Sequence, residues 1–139
     1  MLTRTREAAR ARGRLHSTMA LRVIGHEREI VEIAAVDEML RRDGDRRFSA
    51  EERRYAASKS DPARRLAARW AAKIAAARAL GGDTTPEDVE IVRGAGAPYV
   101  RLSARAERRR VALGARVHVS LTHGLTHAAA SIVLEGESA

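Results

Sequence analysis

The chain has 139 residues, a length that makes one domain with its own hydrophobic core and is too short for two. It has no cysteine, which excludes disulfides, thiolate metal sites and a cysteine nucleophile, and no apolar run nears the roughly 20 residues that span a bilayer, so we expect a cytoplasmic protein. The formal charge of +8 favours an acidic partner, but only 3% of the residues are aromatic, which argues against a single-stranded nucleic-acid binder.

The chain begins with a basic segment that lacks the apolar stretch of a secretory signal. We interpret residues 1–18 as a flexible N-terminal extension and residues 19–139 as the single domain. Apolar residues between Leu21 and Ile33 predict an opening strand that is interrupted near Gly25 to Arg28.

Start and stop signals predict three helices in the first half of the domain. Ser49 and Glu52 have the spacing of a capping box, and Asp61-Pro62 combines an N-cap acid with proline at the first helical position. Gly81 ends the longest helix, which is rich in alanine. The three predicted helices cover residues 36–42, about 49–58 and 62–80.

Strands dominate the second half of the domain. Apolar runs predict a hairpin of strands 89–92 and 99–102, and Ser103 caps a helix that ends at Gly114. Two further strands are predicted at residues 117–122, where apolar and polar residues alternate, and at residues 128–134. This order of elements predicts an α+β fold, a small mixed antiparallel sheet packed on a long helix, rather than a parallel βαβ series.

The long helix carries the first group of candidate functional residues. Arg69 and Lys73 are four residues apart and share a face, and Arg78 lies one turn beyond Ile74. A cationic helix face beside a sheet can hold phosphates, although an exposed basic face is the ordinary interpretation of such a pattern.

A second group lies on the predicted strand at residues 117–122. Its alternation places Ser120 and Thr122 on one face, with His123 at the strand end. A serine and a histidine invite comparison with hydrolases, but no nucleophile elbow surrounds Ser120. Catalysis by this pair alone is therefore not predicted.

A series of segments follows in order along the chain: Ile30-Val31-Glu32-Ile33, Phe48-Ser49 with Glu51-Glu52, Ala68-Arg69-Trp70-Ala71-Ala72-Lys73, Ala79-Leu80-Gly81, Ala97-Pro98-Tyr99-Val100-Arg101-Leu102 and His118-Val119-Ser120-Leu121-Thr122-His123. In order and spacing they resemble the holo-acyl-carrier-protein synthase family of 4′-phosphopantetheinyl transferases. The resemblance covers about residues 20 to 135 and implies that family's fold, of the trimer-forming type.

Enzymes of the family transfer phosphopantetheine from coenzyme A to a serine of an acyl carrier protein, use Mg²⁺, and are commonly homotrimers with a site between adjacent subunits. By position, the resemblance implies that Lys73 and Glu29 are catalytic. It also implies a set of coenzyme A ligands: Arg69, Arg78, Ser120, Thr122 and His123. An acidic carrier protein would account for the positive charge of this chain.

The chain departs from the family pattern at the implied metal site. The first metal position falls within Gly25 to Glu29, where either Glu27 or Glu29 could supply the carboxylate. At the second position, directly after Lys73, the family has an acid and this chain has Ile74, which offers no oxygen. Because Mg²⁺ requires oxygen ligands in near-octahedral geometry, we expect weakened magnesium binding.

Two functions are therefore compatible with the sequence. One is a phosphopantetheinyl transferase with an impaired metal site. The alternative is a descendant that has lost the transfer reaction and binds a carrier protein or an acyl or polyketide ligand in the old pocket, or performs metal-free chemistry there. Fold alone cannot choose between the two. Nucleic-acid binding through the arginines of the first 18 residues ranks below both.

Overall fold

The computed structural model describes residues 20–137, so the predicted extension at residues 1–18 lies outside the described part of the chain. In chain order, the elements are β1 (Leu21–Glu32), α1 (Ile33–Asp43), α2 (Ala50–Ala57), α3 (Pro62–Leu80), a 3₁₀ turn (Pro86–Asp88), β2 (Val89–Val92), β3 (Tyr99–Leu102), α4 (Ala104–Leu113), β4 (Arg116–His123) and β5 (His127–Glu137). Among the helices of this range, none has the length and apolar character needed to traverse a bilayer.

The strands form two antiparallel sheets. A three-stranded sheet has the order β1-β5-β4, and a two-stranded sheet pairs β2 with β3. In the larger sheet Glu29 lies opposite Ala130, which lies opposite Leu121 on the other side. Within this sheet β1 and β4 are therefore the two edge strands. The antiparallel sheets and separate helices confirm the predicted α+β class.

The predicted interruption of β1 is wrong, because the strand pairs with β5 along its whole length. One register irregularity lies between Val23 and Gly25, and a Cβ atom at Gly25 would lie 3.2 Å from Leu134 Cδ1. The polar stretch fits a strand because its exposure alternates: Glu27 and Glu29 are half-buried, and His26, Arg28 and Ile30 are exposed. The strand ends earlier than expected, and Ile33 already begins α1.

The helix boundaries agree closely with the signals in the sequence. Ser49 and Glu52 form the predicted capping box, with Ser49 N donating to Glu52 Oε1 at 2.7 Å and Glu52 N donating to Ser49 Oγ at 3.1 Å. The predicted side-chain cap by Asp61 is wrong: that carboxylate accepts a bond from Arg65 Nε at 3.1 Å instead. Gly81, at φ +70°, ends α3 in a backbone conformation that favours glycine.

Alanine determines how closely α3 packs on the sheet. Besides Ala67, four alanines of this helix are completely buried: Ala71, Ala72, Ala75 and Ala76. They form one apolar cluster with larger side chains of the strands, including Ile91, Ile132 and Leu134. Because alanine projects only one methyl group, the helix backbone can approach the sheet closely, and α3 becomes the element on which the functional side chains of both sheet edges converge.

Candidate active site

A cavity of about 290 Å³ opens between the first half of α3, the end of β4 and the loop that joins β2 to β3. Its polar lining consists of Tyr55, Arg65, Arg69, Arg93, Ser120 and His123. No carboxylate is among the residues that line it. Asp61, which pairs with Arg65, does not line the cavity, and the guanidinium groups of Arg69 and Arg93 with the imidazole of His123 make it suited to an anion with several oxygens, such as a phosphate.

Arg69 is the most constrained cation of this cavity. The residue is only 4% exposed, and its guanidinium lies 4.0 Å from the centre of the Tyr55 ring. Its Nε has no hydrogen-bond partner within residues 20–137. Burial lowers the pKa of Arg69 from its ordinary value. A buried guanidinium with an unpaired donor costs folding free energy, and a bound anion would recover that cost.

Tyr55 organises the cations around it. Its hydroxyl accepts hydrogen bonds from Arg93 Nη1 at 3.1 Å and Arg65 Nη1 at 3.4 Å. Burial alone would raise the pKa of Tyr55, but the three surrounding arginines outweigh that effect and lower it. Sequence reasoning did not identify Tyr55, Arg65 or Arg93. Arg65 had a local signal, since it precedes Arg69 by four residues on one helix face, whereas Tyr55 and Arg93 reach the cavity only through the tertiary fold.

His123 closes the cavity at the end of β4. Burial is the main cause that lowers the pKa of His123, and the neighbouring Arg65 lowers it further. Strand alternation places His123 on the α3 side of the sheet and Thr122 on the opposite side. Ser120 borders this cavity and also a broader hollow on the opposite side, which Thr122 lines. Arg69, Ser120 and His123 are therefore brought together, and Thr122 lies apart from them.

Lys73, the predicted catalytic lysine, lies in the interior. Its Nζ donates to Glu52 Oε1 at 2.8 Å, with the two side chains 2% and 0% exposed. The other oxygen, Glu52 Oε2, accepts a bond from Ile91 N at 2.9 Å. This ammonium group therefore joins α2, α3 and β2, and it lines no cavity formed by residues 20–137.

Arg78 and the two candidate metal ligands form a separate cluster at β1. Arg78 Nη2 donates to Glu29 Oε2 at 2.8 Å, and Arg78 Nε lies 3.7 Å from Glu27 Oε1. Ile74 lies one turn earlier on the same face of α3 and is partly exposed. Both carboxylates thus interact with a guanidinium, and the side chain that follows Lys73 contributes only hydrocarbon.

The donor set of this cluster does not fit a magnesium ion. No group of three His, Cys, Asp or Glu side chains in the described part of the chain is arranged to hold a metal. Mg²⁺ requires about six oxygens at roughly 2.0–2.1 Å, and here the two carboxylates share one arginine as their counter-ion.

The two cationic groups lie on opposite edges of the three-stranded sheet. Arg69 and His123 lie at the β4 edge, whereas Arg78 and Glu29 lie at the β1 edge. Arg69 and Arg78 are nine residues apart on α3, about 13.5 Å along the helix axis. Of the sequence-predicted residues, Arg69, Ser120 and His123 therefore form one half-site and Arg78, Glu27 and Glu29 form a second, whereas Lys73 and Thr122 belong to neither.

Comparison with known proteins identifies the family of this chain. No protein-family model matches it. It is, however, 39% identical over 127 residues to a holo-[acyl-carrier-protein] synthase of Anaeromyxobacter sp. (strain K), an alignment that covers 82% of this chain and 97% of the relative. The chain belongs to the holo-[acyl-carrier-protein] synthase family. A synthase from Koribacter versatilis is 35% identical, with 81% of this chain and 98% of the relative aligned.

Solved structures of the holo-[acyl-carrier-protein] synthase family share the fold. The Mycobacterium tuberculosis acyl carrier protein synthase is 36% identical, with a TM-score of 0.65 over 83% of this chain and 99% of that one. A synthase from Bacillus anthracis, solved in complex with CoA (3′,5′-ADP), is 26% identical, with a TM-score of 0.66 over 82% of this chain and 97% of that one. These matches confirm the resemblance inferred from the sequence motifs.

Proposed function

We propose that this protein transfers the 4′-phosphopantetheine group of coenzyme A to a serine of an acyl carrier protein. Membership of the holo-[acyl-carrier-protein] synthase family supports this function. The observation that carries it is the cavity around Arg69, because no carboxylate lines it and the buried guanidinium has an Nε without a partner within residues 20–137, an arrangement suited to bind a phosphate.

Coenzyme A has two separate anionic groups, a 3′-phosphate on the ribose and a pyrophosphate at the 5′ position, and the protein has two cationic half-sites. We assign the 3′-phosphate to Arg69, His123 and the arginines beside them, with Ser120 and Thr122 nearer the nucleoside. The pyrophosphate is assigned to Arg78 at the β1 edge. The assignment is supported because the substrate carries two linked anionic groups and the protein has two cationic groups, one for each.

The reaction is a substitution at phosphorus. The serine oxygen of the carrier forms a bond to the phosphorus that bears pantetheine, and the bond from that phosphorus to the bridging oxygen breaks. Adenosine 3′,5′-bisphosphate leaves with the electron pair, and the serine proton passes to a base. Glu29, whose carboxylate lies beside Arg78, is our candidate for that base. Lys73 acts from the interior by fixing Glu52 and the elements around the site.

We further propose that the working form is a homotrimer in which the β1 edge of one protomer meets the β4 edge of the next. One coenzyme molecule would then bridge half-sites from two copies, which a single protomer holds about 13.5 Å apart on α3. Large apolar side chains exposed on β1, such as Val23 at 63% and Ile30 at 66%, support burial of this edge. Light scattering tests the assembly. The unmodified protein should have the mass of three chains, and Ile30→Glu should have the mass of one.

The function is tested by following the intact mass of several apo carrier proteins incubated with coenzyme A and the protein. We expect the mass of one phosphopantetheine to be added to a carrier serine. Arg69→Ala should lower the rate at least about 10-fold, because a charge-assisted phosphate contact is lost. Arg53→Ala, which removes an exposed arginine of α2 outside the cavity, is the matched control and should react normally. Coenzyme A binding without modification of any carrier would instead indicate the repurposed descendant.

A further inference from the structure

Three charged side chains meet at the β1 edge, and their arrangement differs from a metal site. A metal site needs carboxylates that point at a shared empty position. Here Glu29 Oε2 and Glu27 Oε1 both lie near one guanidinium, at 2.8 Å and 3.7 Å from its nitrogens. The cation at the centre of these acids is therefore a side chain of the protein itself.

The position of Ile74 is consistent with this arrangement. Ile74 and Arg78 are four residues apart on α3, so they project from the same helix face toward β1. A carboxylate at position 74 would compete with Glu29 for Arg78 or share a metal with it. The isoleucine does neither, which leaves the guanidinium as the counter-charge of both glutamates.

Arg78 retains the capacity to bind a ligand. Its side chain is 49% exposed although it is anchored to Glu29. A guanidinium has five N–H donors in a planar fork, and the contact with Glu29 engages Nη2. Arg78 Nε faces Glu27, and Nη1 has no partner within residues 20–137, so its donors can contact phosphate oxygens while the two glutamates restrict the side chain to one orientation.

We propose that the guanidinium of Arg78, positioned by Glu29 and Glu27, takes the place of the divalent cation, so that this protein binds the pyrophosphate of coenzyme A without metal. The inference rests on the proposed function, since it concerns the same substrate. It gives the glutamates a different task from metal ligation: they orient the arginine. It also explains why hydrocarbon is tolerated at Ile74, where a metal site needs an oxygen.

Isothermal titration with coenzyme A, in a buffer with Mg²⁺ and in one with EDTA, tests the inference. The Kd should differ by less than about 2-fold between the two buffers, a free-energy difference too small for a lost metal ligand. Arg78→Ala should weaken binding by about 10- to 100-fold in both buffers, because charge-assisted contacts to phosphate are removed. Arg78→Lys should retain part of the affinity, and Arg53→Ala should match the unmodified protein. Circular dichroism of each variant verifies the fold.

A reverse substitution adds a second test. Ile74→Glu returns a carboxylate to the helix face beside Arg78, and its coenzyme A affinity should become at least about 3-fold higher with Mg²⁺ than with EDTA. The same affinity in both buffers would contradict the explanation given for Ile74.

The outcomes separate the inference from the proposed function. If the unmodified protein binds coenzyme A only with Mg²⁺, the inference is overturned and the proposed function stands. The inference also falls if binding in EDTA is unaffected by Arg78→Ala. If coenzyme A binds in neither buffer, the proposed function and the inference are both wrong.

Discussion

Helix α3 carries two ion pairs of the same length in opposite surroundings. Lys73 Nζ lies 2.8 Å from Glu52 Oε1, and Arg78 Nη2 lies 2.8 Å from Glu29 Oε2. The side chains of the first pair are 2% and 0% exposed, whereas those of the second are 49% and 24% exposed. Five residues of one helix therefore separate a pair enclosed by the core from a pair open to ligands.

Burial determines what each pair can do. The Glu52 carboxylate also accepts bonds from the backbone N–H groups of Ser49 and Ile91, so breaking the Lys73 contact would leave a charge in the core with only neutral donors. The Arg78 pair is partly hydrated, and such pairs contribute little to stability. Because the Arg78 side chain is 49% exposed, it can contact phosphate oxygens while it remains paired with Glu29. Arg78 therefore suits binding, and Lys73 suits architecture.

The largest expected effect is on the buried pair. Lys73→Met keeps an unbranched side chain only one atom shorter but leaves the Glu52 carboxylate uncompensated, and we expect a loss of about 3–5 kcal/mol in the free energy of unfolding. Urea unfolding at neutral pH measures it. A loss below about 1 kcal/mol would mean that the pair is not a structural element of the core.

A double-mutant cycle sharpens this prediction. Combining Lys73→Met with Glu52→Gln removes both charges, so the double variant should be less destabilised than the two single losses added together. Full recovery is not expected, because glutamine has one acceptor oxygen where the carboxylate uses two for Ser49 N, Ile91 N and Lys73 Nζ. Simple additivity of the two losses would show that Lys73 and Glu52 are not coupled.

The free energy of unfolding should change much less when the arginine of the exposed Arg78–Glu29 pair is replaced by methionine. Arg78→Met should alter the free energy of unfolding by less than about 1 kcal/mol, since the Arg78–Glu29 pair is partly exposed to water. The same urea titration measures it beside Lys73→Met. A loss as large as that of the buried pair would contradict the distinction and would assign Arg78 to the architecture as well.

Much of the fold could be predicted because the deciding signals are local. The capping box of Ser49 and Glu52 and the glycine after Leu80 fix helix ends through contacts within a few residues, and the structure has those ends where predicted. The course of β1 could not be predicted in the same way. Its polar stretch near Glu27 resembles a loop, and only pairing with the distant strand β5 makes it a strand.

In the candidate site, too, residues with a local sequence signal could be predicted, and residues that depend on tertiary contacts could not. Arg69 and His123 were identified because they occur in motifs of contiguous residues, and they line one cavity. Glu52 was identified as a capping residue and as part of a segment shared with the family, but nothing in the sequence links it to Lys73, 21 residues away. Arg93 reaches Tyr55 across 38 residues and had no signal of its own. Tertiary packing thus decides which cationic side chains are buried in the protein and which are accessible to a ligand.

The smallest expected effect concerns His123, which adds a titratable member to the cavity of Arg69. Burial, with the charges of Arg65 and Arg64, lowers the pKa of His123 in the folded protein below its unfolded value. The unfolded chain therefore binds more protons, so the His123 contribution to stability is complete above about pH 6.5 and is lost as the pH falls through the folded pKa. Coenzyme A affinity should change in the opposite direction, because a phosphate favours the protonated imidazole.

We would measure urea unfolding and coenzyme A binding between about pH 5 and 8, for the unmodified protein and for His123→Gln. The comparison removes the contributions of the other histidines and of the ligand phosphates, which both proteins share. The difference between the two proteins should show stability decreasing and affinity increasing toward acid pH. If the two profiles run parallel at every pH, His123 neither titrates in this range nor contacts the phosphate, and the cavity binds its anion through the arginines alone.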